Sequence, residues 1–360
     1  MKLFIGLMSG TSMDGIDAAL VDVDTNRLLA GITYPYSKKT RTLLEDVLAA
    51  EKIMIAVLAQ LNTLIGRDFA AAAQELLSAA RVTSADVIAI GSHGQTILHE
   101  PFSDIPCTVQ LGCAHTIAEL TKITVAADFR SRDLVVGGQG APFAPLYHHE
   151  LFGHLKHAAV VNIGGIANVS FLNDEGGSGF DTGPGNCLMD AWIKKHLGKD
   201  YDEEGRWAAR GQIIFPLLEK LLQDAFFKLP APKSIGKEYF SLAWLKKYGV
   251  HEFAPEDVQA TLLALTAASV AAAIEKRQSE QIIICGGGAH NLVLLRALQG
   301  RLHNKEVVCA EQFEVSSDFL EAMMFAWLAE KTLTQTPLDL SKITGSAKSV
   351  VLGALYHKGT

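Results

Sequence analysis

A short apolar run at residues 2–7, a cluster of small and hydroxyl residues, and a second run at 16–23 open the chain. In the second run Ile16, Ala18 and Leu20 alternate with Asp17, Ala19 and Val21, the two-residue period of a strand. The pattern predicts a hairpin with a tight polar tip. It then returns. Residues 157–163 read as a buried strand, Gly164-Gly165 as a turn and residues 166–172 as a second strand. Each hairpin is followed by alternating strands and helices. That doubled pattern leaves few architectures open and predicts two related α/β domains with a cleft between them.

In the first half, residues 43–80 are rich in Ala, Leu, Glu and Gln and read as mostly helical. Residues 85–90 form a strand that ends at Gly91-Ser92-His93-Gly94, and 108–111 and 123–126 are short strands around a helix at 113–121. In the second half, 173–178 is a loop and 179–186 a turn entering a helix at 187–197. Helices are expected at 215–227, 255–276, 291–302 and 319–332, with a last one from 346 to about 356. Residues 281–285 are a strand stopped by Gly286-Gly287-Gly288.

With 360 residues the chain exceeds one typical core, in keeping with two domains. Its 32 Lys+Arg against 39 Asp+Glu give a net charge of −7 without a basic run, which argues against a dedicated nucleic-acid or anionic-membrane binder. Phosphate can still be held by backbone N–H groups. Five cysteines, an odd number without a C-x-x-C pair, argue against a disulfide framework or zinc ribbon and fit a reducing cytoplasm. The N-terminus reaches Ser9-Gly10-Thr11-Ser12 too soon for a signal peptide, and the apolar stretch 261–274 is too short to span a bilayer.

Several segments carry chemistry. Gly10-Thr11-Ser12-Met13-Asp14-Gly15 could aim N–H groups at a phosphate, and Asp14 and Asp17 could hold hydrated Mg²⁺; an ordinary Gly/Ser turn explains the same residues equally well. Gly164-Gly165 is the matching turn. Gly286-Gly287-Gly288 suits a flat ligand lying against the chain, but the G-x-G-x-x-G fingerprint is incomplete and no P-loop motif occurs. Asp181, in Phe180-Asp181-Thr182-Gly183-Pro184-Gly185-Asn186, is placed for general-base work or, alternatively, for bracing the turn. Asp128-Phe129-Arg130-Ser131-Arg132-Asp133 offers an Arg fork to an anionic, hydroxyl-rich ligand, or a solvated salt-bridge loop. Gly91-Ser92-His93 lacks a G-x-S-x-G elbow, and His148-His149-Glu150 lacks metal-ligand spacing and reads as surface histidines.

Together these segments resemble the anhydro-N-acetylmuramic acid kinase family, within the sugar kinase/Hsp70/actin superfamily. The likeness rests on residues 6–17, on Gly91-Ser92-His93-Gly94-Gln95-Thr96, Ala127-Asp128-Phe129-Arg130 and Gly138-Gln139-Gly140-Ala141-Pro142. It continues through residues 162–168, Asp181-Thr182-Gly183-Pro184-Gly185-Asn186 and 286–291, in family order along the whole chain. One departure lies at 232–238, where Ile235 and Lys237 stand in place of Thr and Arg.

The resemblance implies two actin/hexokinase-like (RNase H-like) α/β domains, with mixed sheets flanked by helices and an interdomain cleft. The first would comprise residues 1–127 plus about 340–360, and the second 128–339. It implies a cytoplasmic, ATP- and Mg²⁺-dependent kinase of peptidoglycan recycling that opens a 1,6-anhydro sugar with water and phosphorylates O6. Gly10, Thr11, Ser12, Met13, Asp14 and Gly15, with Gly164 and Gly165, would grip the ATP phosphates; Gly286, Gly287 and Gly288 would lie under the adenosine; Asp14 and Asp17 would serve the metal, directly or through water. Asp181 would be the base, with Arg130 and Glu321 as sugar contacts. The expected partners are ATP and a small sugar, with no nucleic acid or membrane, and a homodimer as the candidate assembly. Two rivals remain: a glycosidase pairing Asp181 with Glu321, and an ATP-binding regulator that modifies no small molecule.

Overall fold

The computed structural model describes the chain except for residues 11, 12, 14, 156, 173–177, 232, 237, 238, 276 and 360. It divides into two compact units: Met1–Ala144 with Phe319–Thr360, and Pro145–Asp318.

The first unit is built on strands β1 (Leu3–Ser9), β2 (Ile16–Asp22), β3 (Arg27–Tyr34), β4 (Val87–Glu100), β5 (Cys107–Leu111) and β6 (Val125–Ala127). The second holds β7 (Ala158–Ile163), β8 (Ile166–Leu172), β9 (Ser178–Pro184), β10 (Gln281–Cys285) and β11 (Glu306–Cys309). The last strand, β12 (Ala354–Tyr356), returns to pair antiparallel with β6. The first sheet runs β12-β6-β4-β1-β2-β3, with β5 folded back on β4; the second runs β11-β10-β7-β8-β9. In both, the first strand pairs antiparallel with the second and parallel with the fourth. The doubled pattern in the sequence is therefore a doubled topology, two mixed sheets flanked by helices.

All seven residues of β1 are buried, which a strand needs when both faces of its sheet are covered. On one face Ile5, Leu7 and Leu20 join Leu61, Ile65 and Phe69 of the helix Ile55–Ala80. On the other lies the helix Leu320–Leu333. Gly6 and Gly91 are register partners in β1 and β4, and a Cβ on either would overlap the main-chain oxygen of Ala322 or Phe325. This contact explains why β4 does not end at Gly91 as expected. The glycine there removes a side chain so that a helix can lie on the strand, and the ladder continues to Glu100.

Other elements also differ from expectation. Residues 43–80 are split into two helices, Lys38–Ala49, capped by Ser37, and Ile55–Ala80. The edge strand β3, with only partly buried residues, carries too little apolar alternation to be read from sequence. No helix forms at 346–356: Val350 pairs with Leu338, Gly353 takes a positive φ of 78°, and β12 follows. Residues 178–184 pair as a strand with β8 rather than forming a turn.

The helix Pro255–Glu275 is long and apolar enough to cross a membrane by length and composition. Every residue from Val258 to Ala271 is buried in the second unit, among Trp192, Leu218 and Ile282. It is apolar all round because it is enclosed all round.

Candidate active site

In the second unit, Asp181 is placed by an irregularity in β9. Ala167 pairs with Gly183 and Asn168 with Asp181, so Thr182 is an extra residue, a β-bulge of the kind that re-aims side chains. Thr182 turns inward and its hydroxyl donates to the carbonyl of Ala167 at 3.1 Å. Asn162 opposes Asn168 on β7, so Asn162, Asn168 and Asp181 form a row across three strands. The N–H of Ile235 donates to Asp181 Oδ2 at 2.8 Å, and the N–H of Asp181 to the carbonyl of Lys233 at 2.9 Å. Burial pushes the Asp181 carboxyl up to about 6, against the opposing pull of the Ile235 N–H and the Lys233 charge. A carboxylate of that acidity is ionised at neutral pH and still a useful proton acceptor.

The glycine turns divide by what their missing side chains do. A Cβ on Gly185 would overlap the carbonyl oxygen of Gly164, and the two turns are stitched together by Gly185 N–H to Gly165 O at 2.9 Å and Asn186 N–H to Gly164 O at 2.8 Å. Gly286 has a φ of 77° and lies against Asn162, and Gly288 lies against the Ile163 side chain. Gly164, Gly165 and Gly287 have no such constraint: a Cβ on any of them would meet nothing closer than 3.6 Å. Internal packing accounts for Gly185, Gly286 and Gly288, whereas a Cβ on any of the other three would make no contact tighter than ordinary van der Waals distance.

In the first unit, the turn after β1 is anchored from below by Gln95. Its Oε1 accepts from Ser9 Oγ at 2.8 Å and from Tyr36 Oη at 3.0 Å, and its Nε2 donates to the carbonyl of Gly10 at 3.3 Å. Met13 takes a positive φ of 59° and closes the turn on Gly10 O at 3.2 Å; Gly15 lies against Thr33. Thr11, Ser12 and Asp14 lie outside the described residues. Asp17 is half-buried and its Oδ1 accepts from Thr33 Oγ1 at 2.7 Å. Among the described residues no three His, Cys, Asp or Glu side chains gather as a metal site.

Arg130 follows Asp128, whose φ of 59° breaks the chain from β6 into the helix Phe129–Val135. Nε and Nη2 of Arg130 reach His93 Nε2 at 3.0 and 2.9 Å, and Nη1 donates to the carbonyl of Gly140 at 2.7 Å. The buried Asp133 accepts from the Gly140 N–H at 2.7 Å and from Thr344 Oγ1 at 2.9 Å. Burial lowers Arg130 to about 10, offset by the charges of Glu321 and Asp133. Burial likewise raises Glu321, with Asp17 adding to the rise and Arg130 opposing it. The fold thus brings Glu321 within electrostatic reach of both Arg130 and Asp17.

The sequence did not single out His93 beside Arg130, Gln95 under the first turn, or Asn162 and Asn168 in the row of Asp181. Reading residues 91–96 as a continuing strand would have put His93 and Gln95 on one face. His148, expected at the surface, is buried, with Nδ1 2.8 Å from Ser170 Oγ, and burial lowers it to about 3. The helix Ala144–Phe152 presents that side chain to β8.

Two mixed sheets of this strand order, each flanked by helices, define the actin/hexokinase-like, RNase H-like class of α/β proteins. Component A of the (R)-2-hydroxyglutaryl-CoA dehydratase from Acidaminococcus fermentans shares the fold at a TM-score of 0.51 and 11% identity, over 93% of this chain and 100% of its own. The profile of the anhydro-N-acetylmuramic acid kinase family matches residues 2–358. Proteins of that name from Legionella pneumophila, strains Philadelphia 1 and Corby, are each 54% identical over 360 residues, covering 99% of this chain and 98% of theirs. The chain belongs to the anhydro-N-acetylmuramic acid kinase family and is an enzyme, a phosphotransferase.

Proposed function

We propose that this enzyme uses ATP and Mg²⁺ to convert 1,6-anhydro-N-acetylmuramic acid into N-acetylmuramic acid 6-phosphate and ADP. Water attacks C1, the C1–O6 bond breaks, O6 takes the γ-phosphoryl group, and Asp181 accepts the proton from the attacking water. The observation that carries this reading is Asp181 itself, a half-buried carboxylate raised to about 6 and aimed by a bulge beside two asparagines. A base of this kind contributes about 10²–10⁴-fold.

Residues 10–15 and the Gly164-Gly165 turn are assigned to the phosphates, and Gly286, Gly287 and Gly288 to the adenosine. That no internal packing requires glycine at 164, 165 or 287 supports that assignment. Asp17 offers Mg²⁺ one carboxylate to use with phosphate oxygens and water, the ion's usual set; Asp14 would be the second. When bound, Mg²⁺ neutralises phosphate charge. Arg130 and Glu321 are assigned to the sugar. We place the enzyme in the cytoplasm, acting on wall-derived sugar with no nucleic acid or membrane partner, and take a homodimer as its candidate assembly.

The test is incubation with ATP, Mg²⁺ and the anhydro sugar, followed by mass spectrometry. A product heavier by one phosphate and one water supports the reading. Ring-opened sugar without phosphate would overturn it in favour of hydrolysis alone.

A further inference from the structure

Arg130 carries five N–H donors, and three of them are engaged inside the first unit by acceptors that bear no charge, the Nε2 of His93 and the carbonyl of Gly140. Its guanidinium also lies over the Phe143 ring at 5.5 Å. Because two donors converge on His93 Nε2, that nitrogen presents its lone pair and the ring proton sits on Nδ1. The imidazole is fixed in turn. Its ring lies 4.8 Å from that of Phe325, on the helix seated over Gly91. Gly140 is tied by its N–H to Asp133, which Thr344 braces.

We infer that His93 is a positioning residue: a neutral acceptor that sets the Arg130 guanidinium for the sugar without adding a negative charge to those of Glu321 and Asp133, which already act on it. A carboxylate at position 93 would hold the fork as firmly but would neutralise it and occupy it. An imidazole acceptor orients the fork without placing a further anion on it, so its two unengaged donors stay available to an anionic group of the substrate. Burial and the charge of Arg130 both lower His93, which keeps it in the accepting form. His99, beside Gly140, is lowered by the same two causes and adds no cation to the cluster.

The inference rests on Arg130 as a sugar contact, so the test has one arm that needs turnover and one that does not. In the first, His93→Phe and His93→Gln are compared with wild type. His93→Phe is expected to raise KM for the anhydro sugar about tenfold to a hundredfold while KM for ATP stays within about twofold. His93→Gln, whose amide oxygen accepts from the same donors, recovers most of the loss. In an Arg130→Ala background His93→Phe has no further effect on the sugar KM.

The second arm follows the Arg130 Nε–H in a ¹⁵N-edited spectrum of the ligand-free enzyme, assigned by its loss in Arg130→Ala. That signal is expected to be slow to exchange in wild type and His93→Gln, and lost to solvent exchange in His93→Phe. If wild type fails to phosphorylate the sugar, the functional reading falls and this arm alone decides the orientation of Arg130. An unprotected wild-type signal, a His93→Phe sugar KM within about twofold of wild type, or equal losses for sugar and ATP would each overturn the inference. So would a folded His93→Gln variant as impaired as His93→Phe.

Discussion

Replacing Asp181 by Asn should make the protein more stable and much less active. In the fold this carboxyl is raised from 3.8 to about 6, chiefly by burial. At about 1.36 kcal/mol for each tenfold change in acidity, keeping it ionised in the native state costs about 3 kcal/mol, an upper limit because the group retains some contact with water. That figure already includes the favourable effects of Lys233 and the Ile235 N–H. Asparagine keeps an oxygen for Ile235 and removes the charge. The native acidity is the weaker one, so the cost is absent below pH 3.8, grows between there and about 6, and is complete above. In calorimetry at pH 7, the second unit of Asp181→Asn should therefore melt several degrees higher than wild type, at about 2–4 °C per kcal/mol. The gain should shrink as pH falls below 6 and vanish near pH 4. In the same preparation, turnover should fall at least about a hundredfold with both ligands still bound. A variant no more stable at pH 7, or a gain that does not change with pH, would refute the account of why Asp181 is raised. Near-normal turnover would remove it from the mechanism.

Three further outcomes are expected. In wild type, kcat/KM should fall about tenfold per pH unit below about 6 as Asp181 is protonated, and an acid limb centred near 4 would contradict this. Gly164→Ala should leave the unfolding free energy within about 0.5 kcal/mol of wild type while raising KM for ATP, because its Cβ would make only an ordinary contact, with the Ile166 carbonyl oxygen at 3.8 Å; unchanged ATP binding would detach that turn from the phosphates. Gly6→Ala and Gly91→Ala should each destabilise by about 3 kcal/mol or more in urea titration, since the neighbouring atom is helix backbone and not a movable side chain. A loss under about 1 kcal/mol would mean that the Leu320–Leu333 helix can shift freely.

Much of the architecture was legible because it is written in short apolar runs bounded by turn residues, with period-two alternation in β2. β1, β2, β7, β8 and β10 were all expected near their observed bounds. Two elements were misjudged for one reason, that glycine marks both turns and close approaches. At Gly91 it makes room for a helix in the middle of a strand, and at Gly183 and Gly185 it lets β9 pass tightly by its neighbours. The residues around Asp181 were partly visible, whereas Asn162 and Asn168 were not, because only strand register reveals that they stand in its row. The partnership of His93 with Arg130 spans 37 positions, beyond any local pattern. β12 escaped detection for the same reason. Residues 354–356 become a strand only because β6 offers an edge.

The first unit's dependence on Phe319–Thr360 also gives the chain a timetable. During synthesis the bare tracks at Gly6 and Gly91 exist long before the helix that fills them, with the whole of Pro145–Asp318 made in between. At 5–20 residues per second that wait is on the order of tens of seconds. The second unit, continuous in sequence, can complete itself while the first is still open on one face. The later-born half of the molecule is thus the first that can be finished, and a ribosome stalled before residue 319 would release a protein with one intact lobe and one that cannot close.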